Sequence, residues 1–347
     1  MIYLLSTGRS LSVRFLLLLL GLSAGLFGSS AGAANERGPT FWMPEQASVT
    51  AYQVDALYDF VLWICIFFFV LIVALMIYFI ARYRQQKPGD AALSQASHNT
   101  PLEVTWTIIP LFLVVVIFWL GFKGYMDLAT APGNAYTVSV TGQKWSWLFT
   151  YPNGVSASEL HVPVDTPVKL VMSSQDVLHS FFIPAFRVKQ DVIPGRYTSL
   201  WFRATRAGTF DVYCTEYCGK GHSDMLTKTV VHPTGEFQKW LDEEGDFIAK
   251  LPPVEAGMKV YQKYGCKQCH SIDGVASTGP TFKGIWGHSQ ALQGGGSVTV
   301  DENYVRESIL EPNAKVAAGF EAVMPTFQGR IKDDEIRVMI EYLKTLQ

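Results

Sequence analysis

Residues 213–225 read "YCTEYCGKGHSDM" and put two cysteines, a histidine and a methionine on one short segment of a 347-residue chain that has only 5 cysteines. Three readings compete: a disulfide, a structural zinc site, or ligands for a redox-active metal. A Cys214–Cys218 disulfide needs an oxidising compartment and a tight loop to bring the two Cβ atoms into range. It also leaves His222 and Met225 without a role. Zinc accepts thiolate and imidazole, but a thioether suits it poorly. Two thiolates, an imidazole and a soft thioether suit copper. The choice depends on the compartment and the fold that hold the segment.

Composition gives the compartment. The chain is 49% hydrophobic with a net charge of −2, so it has no basic footprint for nucleic acid. Three apolar runs fill its first third. The first, "FLLLLLGLSAGLFG" over 15–28, follows Arg9 and Arg14 and leads into the small residues "SSAGAAN". This order describes a secretory signal peptide over residues 1–34; as an extra membrane helix the run is short. The second, Phe60 to Ala81, has no charge between Asp59 and Arg82, and the third, Val104 to Phe122, none between Glu103 and Lys123. Both are long enough to cross a hydrocarbon core, which predicts a transmembrane hairpin within 50–125. The connecting segment holds Arg82, Arg84 and Lys87 against Asp90. Positive charge marks the cytoplasmic side, so everything after Lys123 lies outside, as a cleaved signal peptide also requires.

From Tyr136 the text becomes short runs rich in Val, Phe, Trp and Thr, broken by Pro and Gly: "YTVSVTG", "WSWLFTY", "PVKLVMSS", "HSFFIP", "YTSLWFRA", "GTFDVYC", "LTKTVVH". Their length and turn residues predict an antiparallel β-sandwich or barrel over 130–235. A polar, helical stretch then ends at Pro252-Pro253, so residues 236–253 read as a linker. Beyond it, "AGMKVYQKYGCKQCHS" is helical in period. A Gly-rich loop and helical patterns over 301–311 and 332–346 follow, which predicts a small, mainly α domain over 254–347.

That last domain contains "CKQCH", Cys266 to His270. C-x-x-C-H is the pattern of covalent c-type haem attachment, with the two thiols on the vinyl groups and the histidine on iron. A zinc or dithiol reading of C-x-x-C stands beside it. Downstream, Met324 in "VMPTF" is the candidate second axial ligand. Met258 and Met339 compete for that place, but both sit at helical periodicity among apolar residues and read as core. This half resembles class I cytochrome c.

On a β-sandwich, the ligands of the opening segment are similar to those of cupredoxins. A mononuclear blue-copper centre uses one cysteine and two histidines; two cysteines can instead bridge two copper ions, each capped by one histidine. His179 in "DVLHSFFIP" supplies the upstream imidazole. Together with the hairpin, "GQKWSWLFTYPNG", "ELHVPVD", "DVLHSFFIPAFRVKQDVIPGR" and "YCTEYCGKGHSDM" make residues 50–235 resemble subunit II of the haem–copper cytochrome c oxidases. With the fused cytochrome c domain, the architecture resembles the caa3 type.

The resemblance implies a multi-domain membrane protein: a two-helix transmembrane hairpin, a cupredoxin-like β-sandwich and a small all-α cytochrome c domain. It implies a dinuclear copper centre, CuA, held by His179, Cys214, Cys218, His222, Met225 and the Glu216 carbonyl. The Glu216 side chain would reach a magnesium ion at the boundary with subunit I. Haem c would be held by Cys266, Cys269, His270 and Met324. Trp145 matches the tryptophan that receives an electron from an external cytochrome c; the family usually has a tyrosine between the two tryptophans of that motif, and here it is Ser146. Glu103 matches a carboxylate at the mouth of a proton channel in the partner subunit, against a plain reading as an interfacial charge.

The implied function is subunit II of a terminal oxidase. It would take electrons from an external donor, a soluble cytochrome c or another small redox protein, through haem c and CuA to subunit I. There oxygen is reduced to water and protons are pumped. Subunits I and III and membrane lipid are the implied partners, and the bacterial inner membrane, with the C-terminal domains in the periplasm, is the implied location. Delivery of electrons to a nitrogen-oxide reductase is the alternative. His98, His161, His232 and His288 lack a ligand-like setting, Cys65 reads as a small hydrophobe within the first span, and Asp242, Glu243, Glu244 and Asp246 read as a solvated helix face.

Overall fold

The computed structural model describes residues 37–89, 94 and 96–347. The expected signal peptide lies outside them. The chain divides into one unit that holds most of the two apolar helices and another that holds residues 126–347.

Helix α1, Val49–Tyr83, and helix α2, Thr100–Ala129, each contain an 18-residue stretch of high mean hydropathy, 3.2 and 2.3 respectively. At about 1.5 Å per residue each exceeds the ~30 Å core of a bilayer. Both run past the apolar segments, because the polar flanks contain no residue that stops a helix. The start of α2 is capped. The Asn99 side chain accepts the Leu102 N–H at 3.3 Å, and Glu103 Oε1 accepts the Asn99 N–H at 2.9 Å. The two bonds are reciprocal, as in a capping box, with the glutamate one residue further along the helix. Pro110 lies within α2, and Cys65 is exposed on the surface of α1.

The second unit begins with two five-stranded sheets. One has the order β3-β2-β1-β5-β8, from β1 (Tyr136–Gln143), β2 (Ser146–Thr150), β3 (Ser156–Ala157), β5 (Pro167–Ser174) and β8 (Thr198–Arg203). The other has the order β4-β10-β9-β6-β7, from β4 (Leu160–Pro163), β6 (His179–Ile183), β7 (Val188–Val192), β9 (Gly208–Cys214) and β10 (Leu226–His232). Alternation of buried with half-exposed residues along β5 and with exposed residues along β9 puts one face of each strand into a shared core. Val138, Phe149, Leu170, Phe181, Phe202 and Val212 form its centre. The pairs β1–β5 and β4–β10 are parallel, the other pairs antiparallel.

The segment expected as a linker is packed. Helix α3, Glu236–Gly245, gives Phe237 and Leu241 to the sandwich core, and Phe247 just beyond it belongs to the core of the next domain. The acidic cluster is correspondingly not a uniform solvated face: Glu244 is buried, and its Oε2 lies 2.6 Å from Lys259 Nζ.

The C-terminal domain is built on a helix pair, called here by range: 253–263 and 333–345. They cross at Gly257, where an added Cβ would lie 2.1 Å from the Val338 carbonyl oxygen and 2.5 Å from Tyr342 Cβ. Only glycine allows so close an approach. Lys263, buried Glu335 and Tyr264 pin the same pair. Lys263 Nζ donates to Glu335 Oε1 and Tyr264 Oη to Oε2, both at 2.7 Å. A third helix, Glu302–Leu310, is capped by Asp301, which accepts the Tyr304 N–H at 2.8 Å. The Gly-rich loop forms a small hairpin of β11 (Ser289–Ala291) and β12 (Ser297–Thr299), which its periodicity did not announce. Gly295 and Gly296 at its tip have φ of 89° and 83°.

Candidate metal centre and haem pocket

Strand register brings the opening segment to its partner histidine. Phe181 of β6 pairs with Cys214 at the end of β9, so His179, two residues earlier in the antiparallel neighbour, emerges at the same edge. The loop from Thr215 to Met225 then returns the chain to β10.

The two thiols are free, with Sγ atoms 3.8 Å apart, well beyond the ~2.05 Å of a disulfide. Around them the donors divide into two sets. His179 Nδ1 lies 3.9 Å from Cys214 Sγ, and the Glu216 carbonyl oxygen 3.4 Å from the same sulfur. His222 Nδ1 lies 3.5 Å from Cys218 Sγ, and Met225 Sδ 3.9 Å from it. His179, Cys214 and Cys218 are the group of His, Cys, Asp or Glu residues able to hold a metal ion among the described residues. His179 and Met225 are wholly buried.

Asp176 was not legible as part of this cluster. Its Oδ1 lies 2.9 Å from His179 Nε2, which turns Nδ1 toward the thiols. Its Oδ2 accepts the Lys144 N–H at 2.7 Å. Burial acts to raise the Asp176 carboxyl, but the His179 ring and the Lys144 and Val177 amides outweigh it and hold it below the usual carboxylate range. Burial likewise opposes ionisation of Cys214, yet the neighbouring His179 brings that thiol down to about 6. Burial and the adjacent Cys214 push Cys218 up to about 12.

Trp145 sits at the two-residue turn between β1 and β2, where the Lys144–Trp145 peptide is cis. Its indole Nε1 donates to the Cys218 carbonyl at 3.3 Å. A Cβ on Gly219 or Gly221 would meet the ring at 3.3 or 2.5 Å. The glycines of "CGKGH" therefore let the ligand loop lie flat on Trp145.

In the C-terminal domain, Cys266 begins a short 3-10 turn, Cys266–Gln268. One pocket is lined by Cys266, Cys269, His270, Met324, Tyr264 and Phe327. His270 Nδ1 bonds the Pro280 carbonyl at 2.8 Å, leaving Nε2 for a metal. Gly279 is required there, since a Cβ would fall 2.6 Å from His270 Cε1. Met339 reaches the same pocket but is a core side chain of the terminal helix, whereas Met324 lies on the loop before it. Met258, expected in the core, is 44% exposed.

His161 and His232 face each other, Nδ1 to Nε2 at 2.9 Å, and Trp240 stacks on His161 with ring centroids 3.9 Å apart. They fasten helix α3 to the sandwich. No local motif pointed to this, because it joins three separate elements. His98 and His288 are exposed.

Residues 37–123 match the family description "Cytochrome C oxidase subunit II, transmembrane domain", residues 154–232 its periplasmic domain, and residues 254–347 "Cytochrome c". The cytochrome c oxidase subunit 2 of Alkalihalophilus pseudofirmus is 31% identical over 312 residues, spanning 85% of this chain and 88% of that one. The chain belongs to the cytochrome c oxidase subunit 2 family. The subunit 2 of Thermostichus vulcanus is 32% identical over 269 residues, covering 61% of this chain and 81% of the relative. The periplasmic domain of subunit II from Bradyrhizobium japonicum is 31% identical, covering 34% of this chain and 98% of that one with a TM-score of 0.33. In this subunit 2 the cytochrome c domain is fused to the C-terminus, which fits the caa3 type. Family and domain content imply copper and haem c.

Proposed function

We propose that the chain is the electron-accepting subunit of a terminal oxidase in a bacterial inner membrane. It takes electrons from an external donor and delivers them to subunit I. The observation that carries this reading is the pair of unbonded thiols 3.8 Å apart, with an imidazole nitrogen beside each. Sulfur, imidazole and thioether donors in two sets suit a thiolate-bridged copper pair and do not suit zinc. His179, Cys214, Cys218, His222, Met225 and the Glu216 carbonyl would hold it; the Glu216 carboxylate is left for a magnesium ion toward subunit I. Cys266 and Cys269 would bind haem covalently, with His270 and Met324 on its iron. When bound, the two groups supply one-electron carriers to a complex whose subunit I reduces oxygen to water with proton pumping, subunit III completing the core.

The chain's own residues position and insulate. Asp176 fixes the His179 tautomer, and Pro280 that of His270. Burial of His179 and Met225 keeps water from the thiols. Trp145 touches the carbonyl of a ligand cysteine and is the internal side of the electron-accepting surface. Glu103 is assigned to the mouth of the partner's proton channel, its carboxylate held in place by the Asn99 cap.

Low-temperature EPR and visible spectra of the full chain at known metal content test the reading. A multi-line copper signal delocalised over two ions, together with c-type haem bands, is expected. Zinc in place of copper, or a Cys214–Cys218 disulfide in the active protein, would overturn it.

A further inference from the structure

The cytochrome c domain and the Trp145 hairpin are in contact through residues that the ligand assignments leave unused. Gly265, immediately before the first cysteine of "CKQCH", has φ of 71°, and a Cβ built there would lie 2.6 Å from Ser146 Cβ and 3.0 Å from its Oγ. Ser146 stands where the family usually carries a tyrosine. On one side of this contact Arg330 Nη1 donates to Gln143 Oε1. On the other, Leu148 packs against the core of the cytochrome domain, and Cys269 against the core of the sandwich. Gln143, Lys144 and Ser146 also line the pocket that holds Cys266 and His270. A backbone without a side chain at Gly265 meets a side chain cut down to one hydroxymethyl group at Ser146. Neither position accepts a larger residue without parting the two surfaces.

We infer that Ser146 and Gly265 are a mated pair that seats the cytochrome domain on the Trp145 hairpin and thereby closes that hairpin to any separate redox protein. A tyrosine at Ser146 would keep the hairpin open, with its ring where Gly265 now lies. The serine gives up that external surface for an internal one. External donors must then use the exposed side of the cytochrome domain. The inference rests on the proposed function only in calling the partner a redox protein; the seating itself is a contact within the chain.

The test is hydroxyl-radical footprinting of Leu148 and Trp145 in the full-length holoprotein, with copper and haem content measured on the same samples. In Ser146→Tyr, oxidation of Leu148 should rise about fivefold as the seat opens. Ser146→Ala, which keeps the Cβ, should match the parent. Gln143→Ala, which removes the acceptor for Arg330 together with the 3.4 Å bond from Gln143 Nε2 to Ser146 Oγ, should shift Leu148 in the same direction by about twofold. A reduced soluble class I cytochrome c, added as probe, should protect Trp145 and Leu148 in Ser146→Tyr and leave the parent footprint unchanged. Parent-like oxidation in both Ser146→Tyr and Gln143→Ala would overturn the seating, and so would equal opening by Ser146→Ala. Protection of the parent hairpin by the added cytochrome would overturn the closure. Missing copper or haem spectra would count against the proposed function, while the footprints would still decide the seat.

Discussion

The two candidate redox sites are organised in opposite ways. Around Cys214 and Cys218, sheet register and one short loop bring all six donors together, each within 3.9 Å of a neighbour. Around Cys266 and Cys269 the donors stand apart on a 3-10 turn and two loops, and line a pocket instead of touching one another. The first site is set by the fold before a metal arrives, so metal binding has little ordering left to do. The second consists of walls, and the helix pair behind it has to keep them apart.

The largest expected effect tests whether the first site is a single unit. Cys218→Ser removes the sulfur that three other donors approach. Complete loss of the delocalised copper signal is expected, with haem bands intact; loss of both by EPR and absorption would show that the sites are not separable. Next is the support of the second site. Lys263→Met leaves Glu335, 2% exposed, without its cation. The cytochrome domain should lose about 3–5 kcal/mol in denaturant unfolding followed by haem absorption, while the copper signal is unchanged before unfolding.

A pH effect belongs to the sandwich side. Burial, with His232 next, lowers His161 from 6.5 to about 3. Below pH 6.5 the unfolded chain therefore binds a proton on His161 that the folded chain refuses, and stability falls as pH falls toward 3. About 2 kcal/mol should be lost between pH 6.5 and 5. His161→Phe, which keeps a ring against Trp240, should flatten that slope in thermal unfolding; an unchanged slope would remove His161 as its source. The smallest effect returns to the cytochrome domain. Asp301→Ala removes the cap of the 302–310 helix and should cost about 1 kcal/mol, read in the same haem-monitored transition.

Sequence reading reached the two sites unequally. The candidate donors Cys214, Cys218, His222 and Met225 are neighbours along the chain, and Cys266, Cys269 and His270 form a motif, so spacing marked them as possible ligands, while the dinuclear copper assignment and the Glu216 carbonyl came only with the family resemblance. The two spans were legible because a bilayer imposes length and polarity directly. Asp176 was missed, although it lies three residues before His179, because an acidic residue at a strand start has no signature until the strand is paired. The His161–His232–Trp240 stack was missed for a stronger reason: it needs β4, β10 and helix α3 placed together. Gly265 is the same kind of case, since nothing in "YGCKQCH" says which surface it will meet.

Helix α3 carries one more consequence. Phe237 and Leu241 lie in one core, and Phe247, six residues after Leu241 and just past the helix, lies in the other. A connector that is part of both interiors cannot let one fold melt while the other ignores it. Heating should therefore give the sandwich and the cytochrome domain overlapping calorimetric transitions, in which a flaw in either lowers the temperature at which its neighbour is lost.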